Sequence, residues 1–146
     1  MTEFKKSPEI RWSDLDPNFH VRHSVYYDWG AYCRMCFLVE LGLSPNVLTE
    51  HQFGPILFRE ECTFRKELRF GDDLTIDLHL VRSRQDFSRW TIRHSLFKNG
   101  DVVAAILSVD GAWIDTAKRK LTAPPQIGAD VFSQMPKSPD FEWINK

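Results

Sequence analysis

Residues 24–41 read as a helix that is apolar on most of its faces, and such a helix is stable in water only when other elements wrap it. Val25, Trp29, Tyr32, Cys33, Cys36, Phe37 and Leu41 recur at three- and four-residue steps, the helical period. Tyr26, Ala31, Met35, Leu38 and Val39 add apolar surface outside that stripe. Ser24 suits the N-cap, Asp28 places a negative charge where the helix dipole favours one, and Gly42 with Pro45 supplies the stop.

After Gly54-Pro55 the period changes to two. Ile56, Phe58, Cys62, Phe64, Leu68 and Phe70 alternate with Leu57, Arg59, Glu61, Thr63, Arg65 and Arg69, which predicts one long strand with the first set on the helix. Gly71-Asp72-Asp73 turns the chain into an alternating run from Leu74 to Leu80, and a third run carries Trp90, Ile92 and Leu96 on one face. Asn99-Gly100 is a strong two-residue hairpin signal, because both residues tolerate positive φ. The run over residues 102–114 is apolar on both faces and belongs at the centre of a sheet. With a short strand expected over 10–12, the layout is α+β: one long helix wrapped by a curved antiparallel sheet of about five strands. A single domain spans 1–146, with its core over about 8–116. Pro124, Pro125, Pro136 and Pro139 punctuate a tail over 122–146 with little periodicity and no assigned function.

Charge and cysteine content narrow the function. With 19 Lys+Arg against 20 Asp+Glu the net charge is −1, so there is no basic field for nucleic acid. No apolar run is long enough to span a membrane, and the first residues lack the apolar stretch of a secretory leader. Three cysteines make no disulfide framework, and a cytoplasmic protein is expected. Cys33 and Cys36 form a lone C-x-x-C inside the helix, Cys62 follows the apolar alternation, and His79 and His94 have no ligand spacing, so no metal or cofactor is expected.

The chemistry is concentrated in the segment that feeds the helix. Asp16, Asn18 and His20 bring a carboxylate, an amide and an imidazole into a loop that runs into a helix N-terminus, where free N–H groups stabilise anions. Asp, Pro and Asn are also favoured turn residues, so spacing alone leaves a structural role open.

Asp14-Leu15-Asp16-Pro17-Asn18-Phe19-His20-Val21, followed by a helix rich in Tyr and Trp, resembles the signature of hotdog-fold thioesterases of the 4-hydroxybenzoyl-CoA thioesterase type. It is similar also to the plant acyl-ACP thioesterases, with their pattern D-x-D-x-N-x-H-V-N-N. Arg59-Glu60-Glu61-Cys62 matches an R-x-E-C stretch of the plant enzymes, and Leu68-Arg69-Phe70-Gly71-Asp72 is like the L-R-x-G-D of the superfamily. Pro17 follows the hydroxybenzoyl type, while Arg22-His23 replaces the plant Asn-Asn.

The resemblance implies a hotdog fold and a homodimer or homotetramer, with sheets joined edge to edge and active sites at subunit interfaces. It implies hydrolysis of an acyl-CoA or acyl-carrier-protein thioester. Asp16 matches the carboxylate shared by both groups, and Asn18, His20 and Glu61 match polar catalytic positions of the plant enzymes. The amides of His23 and Ser24 would form the oxyanion hole, and Tyr26 and Tyr27 would line an acyl pocket. Positive charge for CoA phosphates would come from Arg65, Lys66 and Arg69, or from Arg82, Arg84, Arg89 and Arg93 around the next hairpin. Against these stand plain structural roles: a solvated charged face for the arginines, a surface ion pair for Glu61, and helix core for the tyrosines. Two other functions fit the same fold, a hydratase or dehydratase of acyl thioesters and a non-catalytic acyl-thioester-binding protein.

Overall fold

The computed structural model describes residues 1–145. In chain order it holds β1 (Lys5–Lys6), a 3-10 turn (Trp12–Asp14), α1 (His23–Glu40), α2 (Pro45–Glu50), β2 (Phe53–Phe64), β3 (Leu74–Asp77), β4 (His79–Ser83) and β5 (Arg89–Lys98). Then follow β6 (Val102–Asp115), β7 (Lys120–Thr122), α3 (Gln126–Ser133) and β8 (Lys137–Trp143).

All the strands join one 8-stranded sheet, more than the five expected, because both termini add to it. β6 is central as its two-faced apolar pattern requires, antiparallel to β5 on one side and to β2 on the other. β3 and β4 both pair with β5. Their remaining edge is covered by β1 at one half and by β8, in parallel, at the other. Among the described residues β2 pairs only with β6, so its second edge is free. The hairpin between β5 and β6 turns at Asn99 (φ 51) and Gly100 (φ 106), the two positive φ values that such a turn demands.

α1 lies against this sheet with Val25, Trp29, Cys33 and Phe37 buried on Leu78, Leu107 and their neighbours. It starts one residue early, at His23, so Arg22 and not Ser24 holds the N-cap position, and Asp28 falls in the second turn. Its end is a Schellman motif: Gly42 (φ 104) donates to the Val39 carbonyl and Leu43 to that of Leu38 at 2.7 Å, with Leu43 buried. Tyr32, Met35 and Val39 remain 48%, 58% and 44% exposed, so a single chain covers the helix on one side only.

Three other expectations are corrected. Residues 10–12 form no strand. The chain there enters the 3-10 turn, whose Asp14 is buried and accepts hydrogen bonds from the Arg11 amide and guanidinium at 2.9 and 2.8 Å. The tail is built into the fold: α3 buries Val131 and Phe132, and the Phe132 ring meets Trp113 at 5.1 Å and Trp90 at 5.3 Å. Finally, β2 stops at Phe64, and its register shifts between Leu57 and Arg59. A bulge reverses alternation. Pro55 and Leu57 face α1 before it, and Glu60 and Phe64 after it, as contacts with Arg34 and Tyr26 show. Phe58 and Arg59 turn to the other face, against Arg89 and Asp110.

Among the described residues no helix is long and apolar enough to cross a membrane.

Candidate active site

The loop ahead of α1 is a closed hairpin. Leu15 and Val21 form an isolated bridge, Asp16 donates its amide to the His20 carbonyl at 2.7 Å, and Phe19 donates to the Asp16 carbonyl at 2.9 Å. The turn forces Phe19 to φ 62, a left-handed conformation that a bulky residue takes only when its surroundings impose it. Phe19 stays exposed there, beside Trp12 at 6.4 Å, and Trp12 in turn meets Phe70 at 6.1 Å. The hairpin is anchored where Val21 donates to Leu68 and Arg22 to the Asp14 carbonyl, at 2.8 and 2.9 Å. Leu68 is fully buried, so the L-R-x-G-D stretch is the floor on which the loop rests.

This frame fixes one oxygen of Asp16. Oδ1 accepts from the amides of Asn18 (2.9 Å) and His20 (3.2 Å), and no described residue donates to Oδ2. The half-buried carboxylate opens on a cleft of about 380 Å³ lined also by His20, His23, Tyr26, Phe64 and Glu67, with Arg65 and Lys66 on the rim. His23 and Ser24 open α1, and their amides have no intrahelical acceptor. Partial positive charge therefore accumulates beside the carboxylate. Tyr26 is buried with its ring edge-on to Phe64 at 4.9 Å. Burial pushes its phenol up to about 12, so it is a neutral wall of the cleft.

The structure thus gathers Asp16, His20, His23, Tyr26, Arg65 and Lys66 in one place. Asn18 sits exposed at the hairpin tip and contributes its amide to Asp16. Ser24 is exposed at the helix start, and Tyr27 packs half-buried against the core away from the cleft lining. Glu61 is exposed and ion-paired to Arg59, on the face of β2 turned away from α1. Arg82 and Arg84 lie at the end of β5 remote from Arg65: Arg82 pairs in register with Thr91, and Arg84 closes the hairpin with Ser88. Arg69 is ion-paired with Glu67, Arg93 with Asp140, and Arg89 lies over Phe58.

Sequence reasoning passed over Glu67 and Phe64 as cleft residues. Glu67 Oε2 lies 3.1 Å from His20 Nε2 and 2.9 Å from Arg69. Glu67 lies in the irregular stretch after β2, where alternation carries no information. Among the described residues, no three His, Cys, Asp or Glu side chains are grouped as metal ligands would be.

A carboxylate with one oxygen tethered and one free, at a helix N-terminus and a basic rim, is the equipment of acyl transfer. The family model of the thioesterase-like superfamily matches residues 10–134. No curated protein sequence matches the chain. Among solved structures, the hypothetical protein SAV2348 from Staphylococcus aureus, in complex with CoA, is similar with TM-score 0.85 and 19% identity, over 100% of this chain and 91% of that one. Slr0204, a 1,4-dihydroxy-2-naphthoyl-CoA thioesterase from Synechocystis, has TM-score 0.80 and 16% identity over 90% and 96% of the two chains. A thioesterase from Thermus thermophilus, complexed with coenzyme A and Zn, has TM-score 0.75 and 20% identity over 92% and 95%. The fold is the hotdog fold, and with most of its length matched the chain belongs to the thioesterase-like superfamily.

Proposed function

We propose that the chain hydrolyses an acyl-CoA thioester to free acid and thiol, with Asp16 as its catalytic carboxylate. The observation that carries this reading is the division of labour within Asp16, a residue that lines the cleft: Oδ1 is held by two amides while Oδ2 accepts from no described residue. The thioester carbonyl oxygen faces the His23 and Ser24 amides, where the helix dipole stabilises the charge that develops on attack. Oδ2 then either adds to the carbonyl carbon and expels the CoA thiolate, giving an anhydride that water opens, or takes a proton from the water that attacks the carbonyl and displaces the thiolate. His20, held by Glu67 at 3.1 Å, orients the loop and borders the path of the leaving thiol. Arg65 and Lys66 meet the CoA phosphates at the cleft rim. CoA is favoured over carrier protein by the CoA complexes among similar structures.

The active unit is a dimer joined along the free edge of β2. A twelve-residue strand with one edge unpaired, and with Leu57, Phe58 and Phe64 exposed, is a template for pairing with a second copy.

Thiol release from a panel of acyl-CoAs, measured for the parent protein and for Asp16→Asn, tests the assignment. The expected loss is about 10²-fold or more, or roughly 2.7 kcal/mol of transition-state stabilisation. Turnover untouched by the substitution would remove Asp16 from the chemistry. Hydration of an enoyl-CoA without thiol release would make the chain a hydratase.

A further inference from the structure

The Asp16 cleft is not the only opening along the seam between α1 and β2. Farther along α1, a second cavity of about 210 Å³ is walled by apolar side chains of α1, β2, the sheet floor and α3. A cavity near 150 Å³ holds benzene, so this one holds a ring or a short alkyl chain. Its only polar side chains are donors. Trp90 lines it, and its buried Nε1–H has no acceptor among the described residues. Arg34 lines it too, with its side chain only 13% exposed.

Arg34 has few protein partners for a guanidinium so little exposed. One nitrogen donates to His94 Nε2 at 3.0 Å, and the other lies 3.9 Å from Glu60, beyond hydrogen-bond reach. Five donors and a full charge are thus met by one neutral ring nitrogen and one distant carboxylate. Position adds to this. Side chains on a helix lean toward its N-terminus, and Nη1 of Arg34 lies 3.2 Å from where a Cβ on Gly30 would stand. That is seven residues from His23, or about 10 Å along the helix axis. The guanidinium therefore lines the end of the apolar cavity nearer the helix start, on the side where α1 faces β2.

Building on the thioesterase reading, we infer that Arg34 is a specificity-determining residue that binds a carboxylate at the far end of the acyl chain, making acyl thioesters of dicarboxylic acids the preferred substrates. The fork of a guanidinium matches a carboxylate with two parallel hydrogen bonds, and in an apolar setting that match outweighs what a neutral oxygen offers. His94 holds the fork in place, and the spacing from the helix start suits a chain of about six carbons.

The test compares adipyl-CoA with hexanoyl-CoA and ω-hydroxyhexanoyl-CoA, three substrates of nearly equal length. In the parent protein kcat/KM for adipyl-CoA is expected to exceed that for the other two by about 10–100-fold. Arg34→Gln, which keeps a donor for His94, brings the ratio near one, and Arg34→Lys retains part of it. Binding of adipyl-CoA and hexanoyl-CoA to Asp16→Asn, followed by calorimetry, reads the same discrimination without turnover. Discrimination in binding with no hydrolysis of any thioester would sink the catalytic reading and leave this one standing. Hydrolysis of all three at equal efficiency by the parent protein, or a ratio that survives Arg34→Gln, overturns it. Should Arg34→Gln fail to fold, the parent protein's ratio alone decides.

Discussion

Arg34 donates to Nε2 of His94 across 3.0 Å, and His94 passes its Nδ1–H to the Asp77 carbonyl at 2.8 Å. Since a guanidinium only donates and a carbonyl only accepts, this chain fixes both the neutral state and the tautomer of the imidazole. Burial, reinforced by the Arg34 charge, pushes the His94 pKa down to about 3. The ring is fully buried between α1 and the sheet, so its protonation and the fold are coupled.

That coupling gives stability a pH dependence of definite sign. His94 titrates near 6.5 when unfolded and about 3 when folded, so between those values the unfolded chain binds the extra proton. Its contribution is complete above about pH 6.5, declines as pH falls, and levels off below about 3. Urea unfolding at intervals from pH 7.5 to about 4 is expected to show this decline. His94→Gln keeps an acceptor for Arg34 and a donor for Asp77 but cannot titrate. Asp77, His79 and Arg34, which face the ring, are common to both proteins, so the difference isolates His94. Parallel pH curves for the two proteins would refute the assignment.

Phe132 is 2% exposed and meets Trp90, Trp113 and Phe87 at 5.3, 5.1 and 6.0 Å. Phe132→Ala is therefore expected to cost about 3–5 kcal/mol, read as a lowered urea midpoint at unchanged slope. A loss below about 1 kcal/mol would mean that α3 is not docked in solution.

That the tail belongs to the core was not legible in the sequence. α3 is only eight residues long and is flanked by prolines, so its two apolar anchors give too short a pattern for a period to register. What could be read was whatever repeats over many residues or is fixed by backbone geometry. The α1 periodicity, the alternation of β5, the two-faced pattern of β6 and the Asn99-Gly100 turn all appear within a residue or two of where the sequence implies. The loop chemistry was legible for the same reason, since Asp16 and His20 are neighbours in sequence and one hairpin suffices to bring them together. Residues that reach the cleft through tertiary placement, Phe64 and Glu67, carry no local signal. The bulge at Phe58 carries none either, and it reverses the facing of every residue after it.

Because of that bulge, Glu60 and not Glu61 faces α1. Glu61, exposed and held by Arg59, is outside the cleft of its own chain, so Glu61→Gln is expected to change kcat/KM by no more than about twofold, the scale of an ordinary surface substitution. Glu60→Gln removes the counter-charge 3.9 Å from Arg34 and is expected to tighten binding of an anionic acyl chain relative to a neutral one. A loss of 10²-fold on Glu61→Gln would require the partner subunit's β2 to deliver that carboxylate to the cleft.

Gly111 is the point where the sheet admits the Trp90 ring. A Cβ there would stand 2.3 Å from Cη2 and 2.6 Å from Cζ3 of Trp90, and 2.6 Å from the Ile56 carbonyl oxygen. The first two contacts are with a large ring wedged against Phe132, and the third is with the backbone of β2 itself. Neither can give by the full ångström needed, so Gly111→Ala is expected to cost about 1–3 kcal/mol by overpacking, although alanine suits a strand better than glycine. Combining it with Trp90→Leu separates the two causes. Relief of the ring contact appears as a coupling energy of about 1 kcal/mol in the double-mutant cycle. The clash with the Ile56 carbonyl remains as an uncoupled remainder, because only movement of β2 relieves it. A neutral Gly111→Ala would mean that β2 and Trp90 shift together at little cost, and the close packing of this corner would then be incidental to stability.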